Sequence, residues 1–282
     1  MRLVSFRVAG GENWGVVKNG GIVGMRRRAD GAWPSLRAAL AAGALEEVRR
    51  AAASAAPDVR LEQIELLPPV PEPEKIICVG LNYAAHVRET GRPAPEHPPL
   101  FVRFPASLVG HGQSLVRPRI SRAFDWEGEL AVVIGTGGRA IAPARALAHV
   151  AGYTCLMEGT LRDFQAHSSQ FTAGKTFWRS GACGPWLMTA DEIPDPAALT
   201  LETRVNGRVE QHAPVSDLIF DVPRLIAYIS AILPLAPGDV ISTGTPSGVG
   251  GFRTPPVYLE PGDEVEVEIA PIGVLRNRVV DE

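Results

Sequence analysis

Proline and glycine punctuate this chain too often for long helices, at 25 and 29 of its 282 residues. Each proline removes a backbone donor and biases its predecessor toward extended structure, and glycine weakens helix and strand interiors alike. What survives between the breaks is a series of short apolar runs. "KIICVGL" from 75, "LFVRF" from 100, "ELAVVIG" from 129, "LETRVNG" from 201, "DVISTG" from 239 and "EVEVEIA" from 264 read as strands. Helical spacing is confined to "AAHVRET", "PARALAHV" and "DVPRLIAYISAI". The pattern predicts an α+β fold rich in strand, with helices at its edges.

The N-terminal part has a different texture. "MRLVSFRVAGGENWGVV" alternates like a strand and turns at Gly10-Gly11, and Ala-rich helical sequence follows from Ser35 to Ala56. The Pro-rich stretch "LLPPVPEPEK", 66–75, then reads as an extended connector. A small N-terminal α/β domain over 1–70 and a larger domain over 71–282 are therefore expected.

A net charge of −3 leaves no basic footprint for nucleic acid, and "RRRA" at 26–29 reads as a solvated turn. Cys78, Cys155 and Cys183 are far apart and form no CxxC, which argues against a disulfide framework or a zinc cage and fits a reducing cytoplasm. The opening residues do not have a signal-peptide pattern. The most apolar later stretch, "DLIFDVPRLIAYISAILPL", is broken by Asp221, Pro223, Arg224 and Pro234, so it reads as a packed helix rather than a membrane span. A cytoplasmic protein is expected.

Chemistry is suggested first by "DWEGELAVVIG", 125–135. On a continuous strand Asp125, Glu127 and Glu129 share one face, where like charges raise one another's pKa unless a cation intervenes. With Glu158 in "GYTCLMEGTLRDFQ", an oxygen-only set forms that suits Mg²⁺, Mn²⁺ or Ca²⁺ rather than zinc. The bland reading is a solvent-facing acidic edge. In "GLNYAAHVRETG", His86 and Glu89 stand three apart and meet on one helical face, as a base and its orienting carboxylate would; an incidental surface pair is the plain alternative. "GKT" at 174–176 is no phosphate loop, because Ser169 occupies the position of the required first glycine. What remains there is Arg162, Gln165 and Lys175, donors suited to a carboxylate or an oxyanion, with His167 read as a packing or surface residue. "STGTPSGVGG" permits close backbone approach to a ligand, or simply a tight turn.

Taken in order, "VGLNYAAHVRE", "DWEGELAVVIG", "GYTCLMEGTLRDFQ", "AGKTF…GPWL" and "STGTPSGVG" resemble the fumarylacetoacetate hydrolase family over about residues 74–282. The resemblance implies a mixed β-roll or sandwich with peripheral helices, usually assembled as a homodimer. It implies Mg²⁺ or Mn²⁺ on Glu127, Glu129 and Glu158, the last standing where most members carry aspartate. It gives Arg162, Gln165, Lys175 and Thr245 to substrate binding, with His86, Glu89 and Lys175 catalytic. The expected activity is metal-dependent hydrolysis of a carbon–carbon bond in an acylpyruvate-type 2,4-diketo acid, His86 activating water and Lys175 with Gln165 holding the oxyanion. Decarboxylation of oxaloacetate or isomerisation of a hydroxy-diene dioate would use the same site without water attack. A non-catalytic keto-acid binder or structural oligomer would betray itself by a missing ligand or a missing Lys175, and neither is missing. Phe177, Trp178 and a lid around "RPAPEHPP" are expected to shape the rest of the pocket.

Overall fold

The computed structural model describes residues 1–28 and 31–282. Arg26 and Arg27 are exposed in a turn, while Ala29, the end of the basic run, lies outside the described residues. Strand accounts for 35% of the chain against 23% helix, as the punctuation requires.

Most strands join one large sheet. Its order is Val59–Arg60, Gly21–Gly24, Gly11–Lys18, Arg2–Val8, Gly181–Thr189, Val150–Met157, Gly128–Ile134, Val240–Ser242, Ile76–Val79 and Leu100–Arg103. The N-terminal strands thus continue into the rest through Arg2 opposite Met188 and Leu3 opposite Leu187. A five-stranded sheet, ordered Arg208–Pro214, Thr200–Val205, Glu264–Ile269, Gly273–Asp281 and Leu115–Arg117, packs on one side.

The strand Gly128–Ile134 is buried on both faces, and its alternation builds two cores. Leu130, Val132 and Ile134 meet Leu201, Val267 and Leu275 of the smaller sheet. Ala131 and Val133 face the other way, into the core of Trp14, Leu36, Leu40 and Val48. Each large aliphatic side chain so buried contributes about 1.5–3 kcal/mol. Charges on such a strand are costly, so the two glutamates at its start need a physical reason.

Several elements depart from the sequence reading. "PARALAHV" forms a 3₁₀ run, Pro143–His149, tightened by the Arg145 N–H bonding three residues back to Ala142. The strand Gly181–Thr189 holds Gly184 and Pro185, which read as breakers. The register shifts at that point, Tyr153 facing Met188 but Cys155 facing Gly184, so a bulge accommodates the proline inside the sheet. The Ala-rich segment splits into Leu36–Ala41 and Leu45–Ser54 around Gly43, whose φ is 65°. "DVPRLIAYISAI" is one helix, Val222–Ile232, burying Leu225, Ile226 and Ile229. No helix among the described residues is long and apolar enough to cross a membrane. Cys78, Cys155 and Cys183 are buried and free.

Candidate active site

Where the central strand pair ends, the chain gathers its acids. Gly128 faces Met157 as the last ladder pair, and one step beyond it the Glu158 N–H donates to the Glu127 carbonyl at 2.8 Å. That bond sets Glu127 and Glu158 side by side, and the two-residue period brings Glu129 to the same face. All three are buried, and one carboxylate oxygen from each lies within 4.8 Å of the others. Gly159 is required next: a Cβ there would meet the Ser180 carbonyl oxygen at 1.8 Å.

Asp125 does not share this face, contrary to the continuous strand drawn from the sequence. The chain leaves the sheet before Gly128, and Phe124–Asp125 pairs instead with Thr160–Leu161 in a two-stranded ribbon. There Asp125 accepts the N–H groups of Trp126 at 2.8 Å, Gly250 at 2.7 Å and Gly251 at 2.8 Å, and pairs with Arg162 Nε at 2.7 Å.

The three glutamates differ electrically. Glu127 takes Lys175 Nζ at 2.7 Å on one oxygen and Arg162 Nη1 at 2.8 Å on the other. Burial would raise its pKa, but those two cations outweigh it and hold the group at about 2. Glu129 has no ion pair among the described residues; it accepts from Ser242 Oγ at 2.5 Å and the Gly244 N–H at 2.8 Å. Burial, then the charges of Glu158 and Glu127, push it well above the usual carboxylate range. Glu158 bonds Lys175 through one oxygen at 3.0 Å, while its Oε1 is buried with no hydrogen-bond partner, the Arg103 guanidinium standing 3.9 Å off. Arg103 is itself buried and tied to the Gly159 carbonyl at 3.1 Å and to Ser180 Oγ at 2.8 Å. An orphaned buried oxygen, a carboxyl group whose pKa burial raises and an all-oxygen donor set are what a hard divalent cation would resolve. The residues fit such an ion.

His86 and Glu89 lie on the helix Ala84–Thr90, with Nδ1 and the carboxylate 2.9 Å apart. The second Glu89 oxygen accepts the Gly248 N–H at 2.9 Å, which fixes the carboxylate and through it the imidazole. Lys175 ends the single helical turn Thr172–Lys175, and Arg162 opens the turn Arg162–Gln165, donating to Gln165 Oε1 at 2.9 Å. Thr245 spends its hydroxyl on the Gly128 carbonyl at 2.9 Å and accepts from Gln211 at 2.8 Å.

His86, Glu127, Arg162, Gln165, Lys175 and Thr245 all line one cavity. Sequence reasoning missed its aromatic walls, Phe101, Phe171 and Phe252, while Arg92, the first residue of "RPAPEHPP", does line it. It misplaced Phe177 and Trp178, which do not line this cavity. Phe177 packs edge-on against Phe164 at 4.9 Å, and Trp178 is 60% exposed beneath Arg179, because the chain turns between Phe177 and Ser180. His167 is exposed against the Phe164 ring, a packing role.

Comparison with known proteins places the chain in a family. The family model described as fumarylacetoacetate (FAA) hydrolase C-terminal matches residues 75–280. The bovine (Bos taurus) mitochondrial oxaloacetate tautomerase FAHD2A is 44% identical over 238 residues, 84% of this chain and 76% of that protein. A crystal structure of a putative HpcE protein from Mycobacterium smegmatis superposes with a TM-score of 0.90 at 37% identity, covering 100% of this chain and 99% of that one. Maleylpyruvate hydrolase from Sphingobium sp. SYK-6, solved with manganese(II) and pyruvate, gives 0.82 at 32% identity, with 100% and 99% covered. The chain belongs to the fumarylacetoacetate hydrolase family.

Proposed function

We propose that the protein is a metal-dependent keto–enol tautomerase acting on a small 2-keto dicarboxylic acid of the oxaloacetate type. Glu127, Glu129 and Glu158 would hold magnesium or manganese. The observation that carries the reading is the shared cavity, in which the His86 imidazole, the Lys175 ammonium and Arg162 face one small space beside Glu127. A divalent cation bound there supplies Lewis-acid polarisation of a carbonyl oxygen.

The chain's own groups do the rest. Glu89 accepts the Nδ1 proton of His86, which leaves Nε2 as the base. Nε2 takes a proton from the carbon beside the keto group, and the electron pair moves through the new carbon–carbon double bond onto the keto oxygen. Lys175 and Gln165 donate hydrogen bonds to that oxygen as its charge grows, each worth on the order of 3 kcal/mol. Return of the proton from His86 to oxygen gives the enol, with every atom conserved. The tautomerase name of the bovine relative supports this choice.

The same dyad favours a second reading, because a base that takes a proton from carbon can also take one from water. Hydrolytic carbon–carbon cleavage of an acylpyruvate would follow, as the name of the Sphingobium relative suggests. Product analysis by NMR, with enol oxaloacetate and with an acylpyruvate in Mg²⁺, separates the two. Accelerated loss of the enol without release of pyruvate and a free acid is the expected result. Enol decay at the uncatalysed rate overturns the tautomerase, and pyruvate release from the acylpyruvate selects the hydrolase. His86→Ala should slow either reaction about 10²–10⁴-fold.

A further inference from the structure

Nearly every charge around the cavity is already committed. Arg162 is held by Asp125 and Glu127, Lys175 by Glu127 and Glu158, and His86 by Glu89. Arg92 is the exception: it lines the cavity, is exposed, and forms no ion pair among the described residues. It follows Gly91, the left-handed cap of the helix that carries His86, with φ 67°.

What Arg92 rests on gives it a direction. Its Cζ lies 5.2 Å from the centroid of Phe171; Phe171 meets Phe101 edge-to-face at 5.8 Å; and Lys175 Nζ lies 5.3 Å from the centroid of Phe101. Two crossed rings therefore make a wall with a cation at each end. The inner cation is buried and neutralised by carboxylates, and the outer one is exposed and unneutralised. A guanidinium resting on a ring keeps its N–H edges free, and that fork matches a carboxylate in a two-pronged bond. A ligand laid along the wall, with its keto-acid end toward Lys175, would carry its far end to Arg92.

We infer that Arg92 is a specificity-determining residue that binds the distal carboxylate of the substrate, so that the site prefers 2-keto dicarboxylates over 2-keto monocarboxylates. The assignment rests on the keto-acid reading of the site. It is tested on the full chain in Mg²⁺, by calorimetric titration with oxalate, which has no distal carboxylate, and by turnover of oxaloacetate against a 2-keto monocarboxylate such as phenylpyruvate. Arg92→Met should lower kcat/KM for oxaloacetate about 10–100-fold, mostly through KM, and erase the preference for the dicarboxylate. The oxalate Kd should move less than about threefold, and Arg92→Lys should recover part of the loss. An unchanged dicarboxylate preference in Arg92→Met overturns the assignment while leaving tautomerisation standing. An equal loss for oxalate and both substrates also overturns it, because that reports structural damage. A wild-type protein that binds no oxalate in Mg²⁺ removes the keto-acid reading and this inference together.

Discussion

On the five-stranded sheet, Arg204 stands directly across from Glu266, Glu266 from Arg276, and Glu202 from Glu268. Arg204 reaches Glu202, Glu266 and Glu268 at 2.5, 2.8 and 2.7 Å, and Arg276 reaches Glu266 at 2.6 Å. At the mouth of the large sheet the same two-residue alternation lines up Glu127 and Glu129 and sets Glu158 beside them, but in the interior. There four carboxylates, counting Asp125, face three cations, Arg103, Arg162 and Lys175. The ladder sets three glutamates against two arginines, but on a sheet face where Arg276 is exposed and Arg204, Glu202 and Glu268 are half-buried. Solvent therefore screens the charge left over, even though Glu266 itself is buried. The buried cluster is also one positive charge short, but with no solvent to screen the deficit, and Glu129 is pushed well above the usual carboxylate range by burial and by the charges of Glu158 and Glu127. An acidic row on a strand is thus informative when its burial is known, because only a buried deficit calls for a cation from outside.

The comparison can be broken from either side. The largest effect belongs to Glu129→Gln, which keeps the contacts of Ser242 and Gly244 within reach but removes the charge a metal would replace the proton on. Mn²⁺ affinity read by electron paramagnetic resonance should fall at least about 100-fold and turnover about 10³-fold; an unchanged affinity would mean the ion does not sit on the triad. Glu158→Asp comes next. It withdraws the carboxylate from Lys175 by one methylene, and Mn²⁺ affinity should fall roughly tenfold in the same titration.

Acidity should act on Glu129 and Glu266 in opposite senses, with Glu127, held at about 2, siding with Glu266. Glu129 is raised by folding, so the metal-free protein holds that proton more tightly than the unfolded chain does. It is therefore most stable with Glu129 protonated, and loses stability as pH rises from about 4.3 through the raised value. Burial raises Glu266 but its bonds to Arg204 and Arg276 lower it further, so its contribution is present above about 4.3 and is lost as pH falls through its lowered value. Melting of the chelator-treated protein should then move upward from about pH 8 to about pH 5 and downward below about pH 4, with Mg²⁺ flattening the first limb. A metal-free melting temperature that is flat from about pH 8 to about pH 5 contradicts the charge deficit. The smallest effect is that of Glu268→Gln, whose side chain is 40% exposed: under about 1 kcal/mol by denaturant titration and without consequence for Mn²⁺ affinity.

Much of this was legible in the sequence, for a reason that also marks its limit. Glu127 and Glu129 could be paired because strand alternation is local, and His86 with Glu89 because one helical turn is local. The ribbon that diverts Asp125 depends on Thr160 and Leu161, more than thirty residues away, and no local period announces it. Arg103 looked like one more residue of "LFVRF", although its partners Gly159 and Ser180 make it a buried prop behind Glu158. Phe101, Phe171 and Phe252 come from three separated segments, so no window of sequence holds the pocket wall. Pro185 hid a central strand because a bulge, a property of pairing rather than of composition, lets the sheet keep it.

The glycine loop at 248–251 has one further consequence. Gly248 fastens Glu89, while Gly250 and Gly251 fasten Asp125, which grips Arg162. The Gly248 backbone also runs so close to residue 210 that a methyl group there would collide with its carbonyl oxygen at 2.0 Å. The His86–Glu89 pair and the Asp125–Arg162 pair are thus hung from a single hinge-pin, and neither can swing without tugging on the other.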